Sequence, residues 1–451
     1  MSGRLAALDE RLRGILTRPA GRTARLLCGL LTLAAFFVLL MTRTLAQLAD
    51  AGIALHAGTV LVLCMPLAVM LAFALLTAKE NEGGVLFTLV LCALCAAAML
   101  ARVSFIERSS GDYDIYLADW LDRLAAGSFS EGMRANIGEY NVLYQYILFL
   151  ITRLGVPALY AVKAVSFLGD ALLAGAAARL ARRTGRGSAP AFGAVLLLPT
   201  GVLNGGMFAQ CDSLYACAAL WGLALCLDEK PARAAVCFAL SLAFKLQAVF
   251  LLPIVVVLWA DRKLTLRDGL IFLVTLVIVA LPAMLGGKSL TAILSIYTSQ
   301  TGLYTGLNYG AAGFFGLMET GGLDVYAYGN FAMGLAFGAC ALIVCSGVRS
   351  AGRLDEDDII RLGLLLVLTI VFLLPRMHER YFYLAGPLSV VLACRRGGLS
   401  VAAAALIELA SLSTYWALAI PLPLASAMML TALILVLMDR KKGFPSAKSV
   451  I

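Results

Sequence analysis

The chain has 451 residues, of which 61% are hydrophobic and 14% charged, with a formal net charge of +9 at pH 7. Soluble domains average roughly 45–50% apolar and about 25% charged residues, so composition excludes a soluble enzyme and places the chain in lipid. The basic excess does not point to nucleic acid, because Lys and Arg stand in short clusters beside apolar runs, as the positive-inside rule describes.

Arg4, Arg11, Arg13, Arg18, Arg22 and Arg25 precede the apolar run Leu26 to Met41. That run reads as an uncleaved anchor, because Ala49-Asp50-Ala51 is a poor cleavage site lying well beyond it. With this basic N-terminus (1–24) in the cytoplasm, hydropathy predicts a three-helix segment (25–103) with spans at 25–42, 54–78 and 85–103. An extracytoplasmic segment (104–155) follows. The membrane core (156–438) then carries spans at 157–180, 189–205, 211–228, 232–244, 247–260, 266–285, 327–348, 359–375, 381–394, 399–419 and 422–438. A cytoplasmic tail (439–451) ends the chain. The expected fold is all-α and polytopic, with about fourteen transmembrane helices and two extended outer loops, 104–140 and 286–326.

This arrangement puts Lys79, the run Arg179, Arg182, Arg183 and Arg186, then Lys230, Arg233, Arg262, Lys263, Arg349, Arg353, Arg395, Arg396 and Arg440 to Lys442 inside. Both termini are then cytoplasmic, and the protein sits in the cell (plasma) membrane. The segment 141–153 is too short to span and reads as a helix on the outer surface. The 11 cysteines lie almost all within spans and behave as small hydrophobes, Cys92 and Cys95 included.

The first outer loop holds seven acids, Glu107, Asp112, Asp114, Asp119, Asp122, Glu131 and Glu139, against Arg108, Arg123 and Arg134. From Gly111 onward the spacing is helical. Asp112, Tyr116, Asp119 and Arg123 fall on one face, and Tyr113, Leu117, Trp120 and Leu124 form an apolar stripe. Such a helix lies along the bilayer surface with Trp120 at the headgroups. Asp112 or Asp114 at its start either caps it or does chemistry beside the aromatic residues.

Farther on, Asp212, Lys245, Arg376, His378, Glu379 and Arg380 interrupt strongly apolar sequence at outer span ends. Ionisable groups near lipid are costly and mark functional sites, although Lys and Arg also snorkel to headgroups. Asp170, in the middle of a span, needs an internal partner. His56 reads as a packing residue.

The segments GDYDIYL (111–117), FAQCDSLYA (208–216), AFKLQAVFLLP (243–253) and PRMHERYFYLA (375–385) resemble, in order, the bacterial relatives of the GPI-anchor mannosyltransferases, which belong to the GT-C superfamily. The resemblance implies a GT-C-like fold and transfer of a sugar from a polyprenyl-phosphate carrier to a glycan or lipid-linked acceptor outside the cell. It implies a first-loop aspartate as base, Asp112 or, in reserve, Asp114, with Tyr116, Gln210, Asp212, Gln247, Glu379 and Tyr381 binding or orienting substrate. Ala209 and Cys211 sit where these relatives more often have WGQxDS, and three spans rather than one precede the acidic loop.

Displacing a phosphate from an anomeric carbon needs a base for the acceptor hydroxyl and cations for the departing phosphate. Lys245, Arg376, His378 and Arg380 are the expected phosphate ligands. No nucleotide-binding fingerprint is present, which favours a lipid-phosphate donor. No cofactor is demanded, though carboxylates recruit Mg²⁺ or Mn²⁺ readily. The alternatives are a transporter or flippase of lipid-linked sugars, which would carry its charges nearer the midplane on repeated halves, and a polysaccharide polymerase or ligase.

Overall fold

The computed structural model describes Gly14, 18–51, 57–135, 137–182, 187–300, 304–415 and 418–439. His56, Arg183, Arg186, the first basic residues Arg4, Arg11 and Arg13, and the tail from Arg440 lie outside the described residues. Among those described, the chain is helical almost throughout, and its one sheet pairs two strands of two residues each. Among the described residues, six helices are long and apolar enough to cross a membrane, or seven if a pair bent by 46° counts as one span. The protein is therefore multi-pass, and the expected count of fourteen is not confirmed.

The chain divides into two compact units, 1–249 with 265–304 and 250–264 with 305–451. In the first unit α1 (Arg22–Ala51), α2 (Ala57–Glu80) and α3 (Val85–Val103) precede the acidic segment, which folds into α4 (Ala118–Ala126), α5 (Phe129–Arg134) and α6 (Val142–Ile151). The central element is α7 (Ala158–Ala181). Its most apolar window is 83% buried, against 17% for the outlying α13 (Leu266–Leu285). Small residues explain this position: a Cβ at Gly175 would lie 2.6 Å from the Phe73 ring of α2, and such close approach is how helices pack in lipid.

Next come α8 (Ser188–Leu197) and the short α9 (Pro199–Val202), which meet at the 46° bend. Pro199 has no N–H to continue the ladder. The broken turn is held from outside, because the fully buried Arg102 donates through Nη1 to Leu196 O at 2.9 Å and through Nε to Asp170 Oδ2 at 2.7 Å. Asp170 thus has the internal partner its position required. The run 189–205, expected as one span, is bent at this break and continued by a π-turn, Leu203–Met207.

Then α10 (Asp212–Leu227) runs back, followed by α11 (Pro231–Phe244). At one end of the unit Arg179 pairs with Asp228 at 2.7 Å and Arg182 with Glu80 at 2.8 Å. The ends of α2, α7 and α10 therefore share a charged rim, and the acidic segment gathers at the other end. After α13 comes α14 (Leu290–Gln300).

The second unit contains α12 (Ile254–Ala260), α15 (Val325–Arg349), α16 (Glu356–Leu373), α17 (Ala385–Arg396), α18 (Leu399–Thr414) and α19 (Leu422–Met438). Two expectations change here. The run 247–260 is not one helix: a 3₁₀ turn over Leu246–Phe250 and a further turn reach Pro253 before the seven residues of α12 begin. The span expected at 381–394 begins only at Ala385, because 377–384 is spent on a strand and turns. At the base of α16 and α17, Arg395 meets Glu356 at 3.0 Å and Arg396 meets Asp358 at 2.9 Å. These arginines are fixed in ion pairs.

Candidate functional site

In the first unit the acidic segment turns out of α3 through residues 104–110. Lys163 of α7 is fully buried, and its ammonium gathers the carbonyls of Phe105 (2.6 Å), Ile106 (3.1 Å) and Arg108. Ser110 then makes the local cap, accepting from Tyr113 N–H at 3.2 Å and donating to Phe208 O at 2.9 Å. Asp112 therefore does not cap the helix with its side chain. Its Oδ2 accepts instead from Gln210 Nε2 at 2.9 Å.

Residues 113–117 form a π-turn rather than an α-turn, a distortion frequent at functional sites. Asp112 is half-buried there, and Tyr116, Asp119 and Arg123, the rest of its expected face, are exposed. Tyr116 is exposed, and Asp119 pairs with Arg123 on the surface. The apolar stripe survives, with Leu117 and Leu124 buried and Tyr113 and Trp120 packed against them. Trp120 faces inward, meeting Tyr140 edge-on at 5.8 Å. Asp114 is exposed and accepts from the Ser109 hydroxyl.

Gln210 is held at every polar group. Its N–H donates to Asn204 O, its carbonyl accepts from Ser166 Oγ at 2.7 Å, and its side-chain Oε1 takes the Tyr140 hydroxyl at 3.3 Å. The turn that aims it uses Ala209 at φ +53°, where a side chain is strained and the glycine of the resembled WGQxDS pattern would not be.

Asp212, at the start of α10, is 1% exposed and pairs with Lys245 Nζ at 2.5 Å, while Asn204 Nδ2 holds its other oxygen at 2.9 Å. Lys245 also lies over the Tyr140 ring, 5.4 Å from its centroid. Asp112, Gln210, Asp212 and Lys245 are thus joined in one network through Tyr140. Gln247 is buried on the 3₁₀ turn just beyond, and its Oε1 has no hydrogen-bond partner among the described residues.

Three functional candidates escaped the sequence reading: Arg102, Lys163 and Lys288. Lys288, beyond α13, is 3% exposed and donates to Gln145 Oε1 at 3.0 Å and Ala135 O at 3.2 Å. Burial pushes its ammonium down to about 8. A lone cation beside or within an apolar run was the available signal in each case.

In the second unit, Asn308–Tyr309 and Met377–His378 pair as parallel strands, with Arg376 N–H donating to Leu307 O at 2.8 Å. This brings together Arg376, His378, Glu379, Arg380 and Tyr381. The Tyr309 ring stacks on His378 at 5.1 Å, and the Tyr381 ring lies tilted to His378 at 5.2 Å. Glu379 grips Arg380 Nη1 at 2.6 Å, and Thr414 Oγ1 donates to its carbonyl. Arg376 holds φ +65°, a strained backbone of the kind found at ligand sites.

Burial would raise the Glu379 carboxyl, but His378 and the Arg380 charge outweigh it and hold the group down at about 2, against 4.5 ordinarily. A depressed carboxylate contributes stability above its unfolded pKa and loses that contribution as pH falls toward the folded one. Wild type should therefore be more heat-resistant than Glu379→Gln by a constant margin above about pH 5, with the margin closing between 4.5 and about 2. Melting of the two proteins in detergent across that range is the check. A margin independent of pH would refute the assignment.

Among the described residues, no three His, Cys, Asp or Glu side chains gather as a metal ion would need. The first unit offers a carboxylate oriented by an amide and linked to a buried ion pair, and the second a cluster of cations with aromatic backing.

Residues 141–261 match the family model described as alpha-(1->6)-mannopyranosyltransferase, N-terminal domain. The match includes Gln210, Asp212, Lys245 and Gln247, and it fits the resemblance to bacterial GT-C mannosyltransferases. It covers less than half of the chain and stops short of Arg376 to Tyr381, and Asp112 precedes it. No curated protein matches the chain. The match supports a glycosyltransferase.

Proposed function

We propose that the protein is an integral membrane hexosyltransferase, of mannose first, that uses a polyprenyl-phosphate sugar as donor and a glycan or lipid-linked acceptor outside the cell. The observation that carries this reading is the Asp112–Gln210 hydrogen bond, which ties the first-loop carboxylate to a segment inside the matched region. Asp112 takes the proton of the acceptor hydroxyl. That oxygen attacks the anomeric carbon, the bond from carbon to phosphate oxygen breaks, and polyprenyl phosphate leaves with the electron pair. Gln210 holds the base in register, so its own loss should affect rate through Asp112.

Arg376, His378 and Arg380 are proposed as the ligands of the donor phosphate, because cations and hydrogen-bond donors stabilise the charge that develops there. Glu379 orients Arg380 for that task. The ion pair with Asp212 supports a different role for Lys245, in the frame beneath the base rather than on the phosphate. Arg376→Ala should weaken donor use by about 1.5–3 kcal/mol, the worth of a charged hydrogen bond, and leave acceptor affinity nearly unchanged. Donor-concentration curves on quantified protein test this, and an unchanged curve would remove Arg376 from the phosphate site.

The function as a whole is tested by presenting purified protein in liposomes with a panel of radiolabelled polyprenyl-phosphate hexoses and mannan-type acceptors. Transfer from the mannose carrier is the expected result. Movement of intact lipid-linked sugar across the bilayer without transfer would favour a flippase.

A further inference from the structure

Tyr116 is the one aromatic side chain of the π-turn that faces outward, 52% exposed, where its chain neighbour Leu117 is buried. Behind it stands Trp120, with ring centroids 6.4 Å apart. That indole is fixed from beneath. Gly138 adopts φ +73°, and a Cβ there would lie 2.7 Å from three atoms of the ring, so glycine backbone lies flat against one indole face. Tyr140 meets Trp120 edge-on and passes its hydroxyl to Gln210, which in turn holds Asp112. The aromatic run and the carboxylate are therefore parts of one hydrogen-bonded and ring-packed structure.

A pyranose ring has a patch of C–H groups on one face and hydroxyls around its rim. An aromatic face takes the C–H patch, and fixed carboxylate and amide groups take the rim; a few placed polar groups beside apolar lining is the general form of a small-ligand site. A base must touch the acceptor's hydroxyl, so a ring that stacks beside Asp112 belongs to the acceptor sugar. We propose that Tyr116, backed by Trp120, is the stacking platform for the acceptor's terminal mannopyranose. The proposal rests on the transferase reading with Asp112 as base. Its rival is that Tyr116 and the exposed Ile115 sit among lipid headgroups, as interfacial aromatics do.

The two differ in what they ask of position 116, since stacking needs a flat aromatic face and a headgroup anchor accepts any bulky apolar group. The test compares Tyr116→Phe, Tyr116→Trp and Tyr116→Leu in full-length purified protein. One measurement is calorimetric binding of α-1,6-mannobiose, and the other is transfer kinetics with acceptor varied at saturating donor. The expected result is that Phe and Trp stay within about twofold of wild type, while Leu raises both the mannobiose Kd and the acceptor KM by roughly 5–10-fold, consistent with the worth of an aromatic contact. The kcat and donor KM of the Leu variant stay within about twofold, which separates positioning of the acceptor from loss of the base. A Leu variant that binds and transfers like wild type overturns the proposal, as does wild type that fails to bind mannobiose. If no preparation transfers sugar, the transferase reading fails separately, and weaker mannobiose binding by Leu than by Phe still upholds the platform.

Discussion

Asp112→Asn should insert and fold as wild type does and lose about 10²–10⁴-fold in transfer rate, or about 3–5 kcal/mol of barrier. The fold is spared because the Asp112 side chain caps no helix; Ser110 makes that cap, and asparagine still offers an oxygen to Gln210 Nε2. The rate falls because an amide oxygen cannot carry the acceptor's proton. Asp114→Asn should lose far less, as its carboxylate is exposed and takes the Ser109 hydroxyl, its one side-chain hydrogen bond among the described residues. Gln210→Ala should fall between them, since it leaves the base present and removes the group that aims it. The measurement is single-turnover transfer per folded molecule, and full activity of Asp112→Asn would move the base elsewhere, with Asp114 or Asp212 next in line.

How much of this was legible in the sequence depends on the distance over which each signal acts. The apolar stripe Tyr113, Leu117, Trp120 and Leu124 is local, and it survived even the π-turn because its members are inserted in the core whichever way the turn is wound. The span 157–180 was legible for the same reason and appears as Ala158–Ala181. The cluster Arg376 to Arg380 was legible as charge in apolar sequence, but not the strand pairing with Asn308 and Tyr309 that shapes it. Arg102 and Asp170 are 68 residues apart, and Lys163 reaches carbonyls 55 to 58 residues before it. No periodicity reports such partners; only the oddity of a charge in an apolar stretch does. The left-handed turn at Ala209 was equally invisible, since alanine gives no hint of positive φ.

The Asp212–Lys245 pair should prove the most costly single contact to break at this end of the first unit. Both side chains are nearly buried, and each is the other's counter-charge, with Asn204 and the Tyr140 ring as neutral neighbours. Taking two charges out of water is expensive, and their attraction only offsets that cost, so the pair itself is worth little against an apolar replacement. Removing one partner is another matter. Asp212→Ala leaves an ammonium buried over an aromatic ring, and Lys245→Met leaves a carboxylate held by one amide; each should destabilise the protein by about 3–5 kcal/mol. The double variant Asp212→Leu with Lys245→Met should be closer to wild type than either single change, because no charge is then stranded. Denaturation in detergent micelles provides the cycle, and single changes that cost nothing would show the pair to be solvated. The same proteins separate the two roles open to Lys245. If its ammonium serves only the frame beneath Asp112, the double variant regains transfer along with stability. If it also grips the donor phosphate, stability returns and donor use does not, because methionine offers the phosphate no charge.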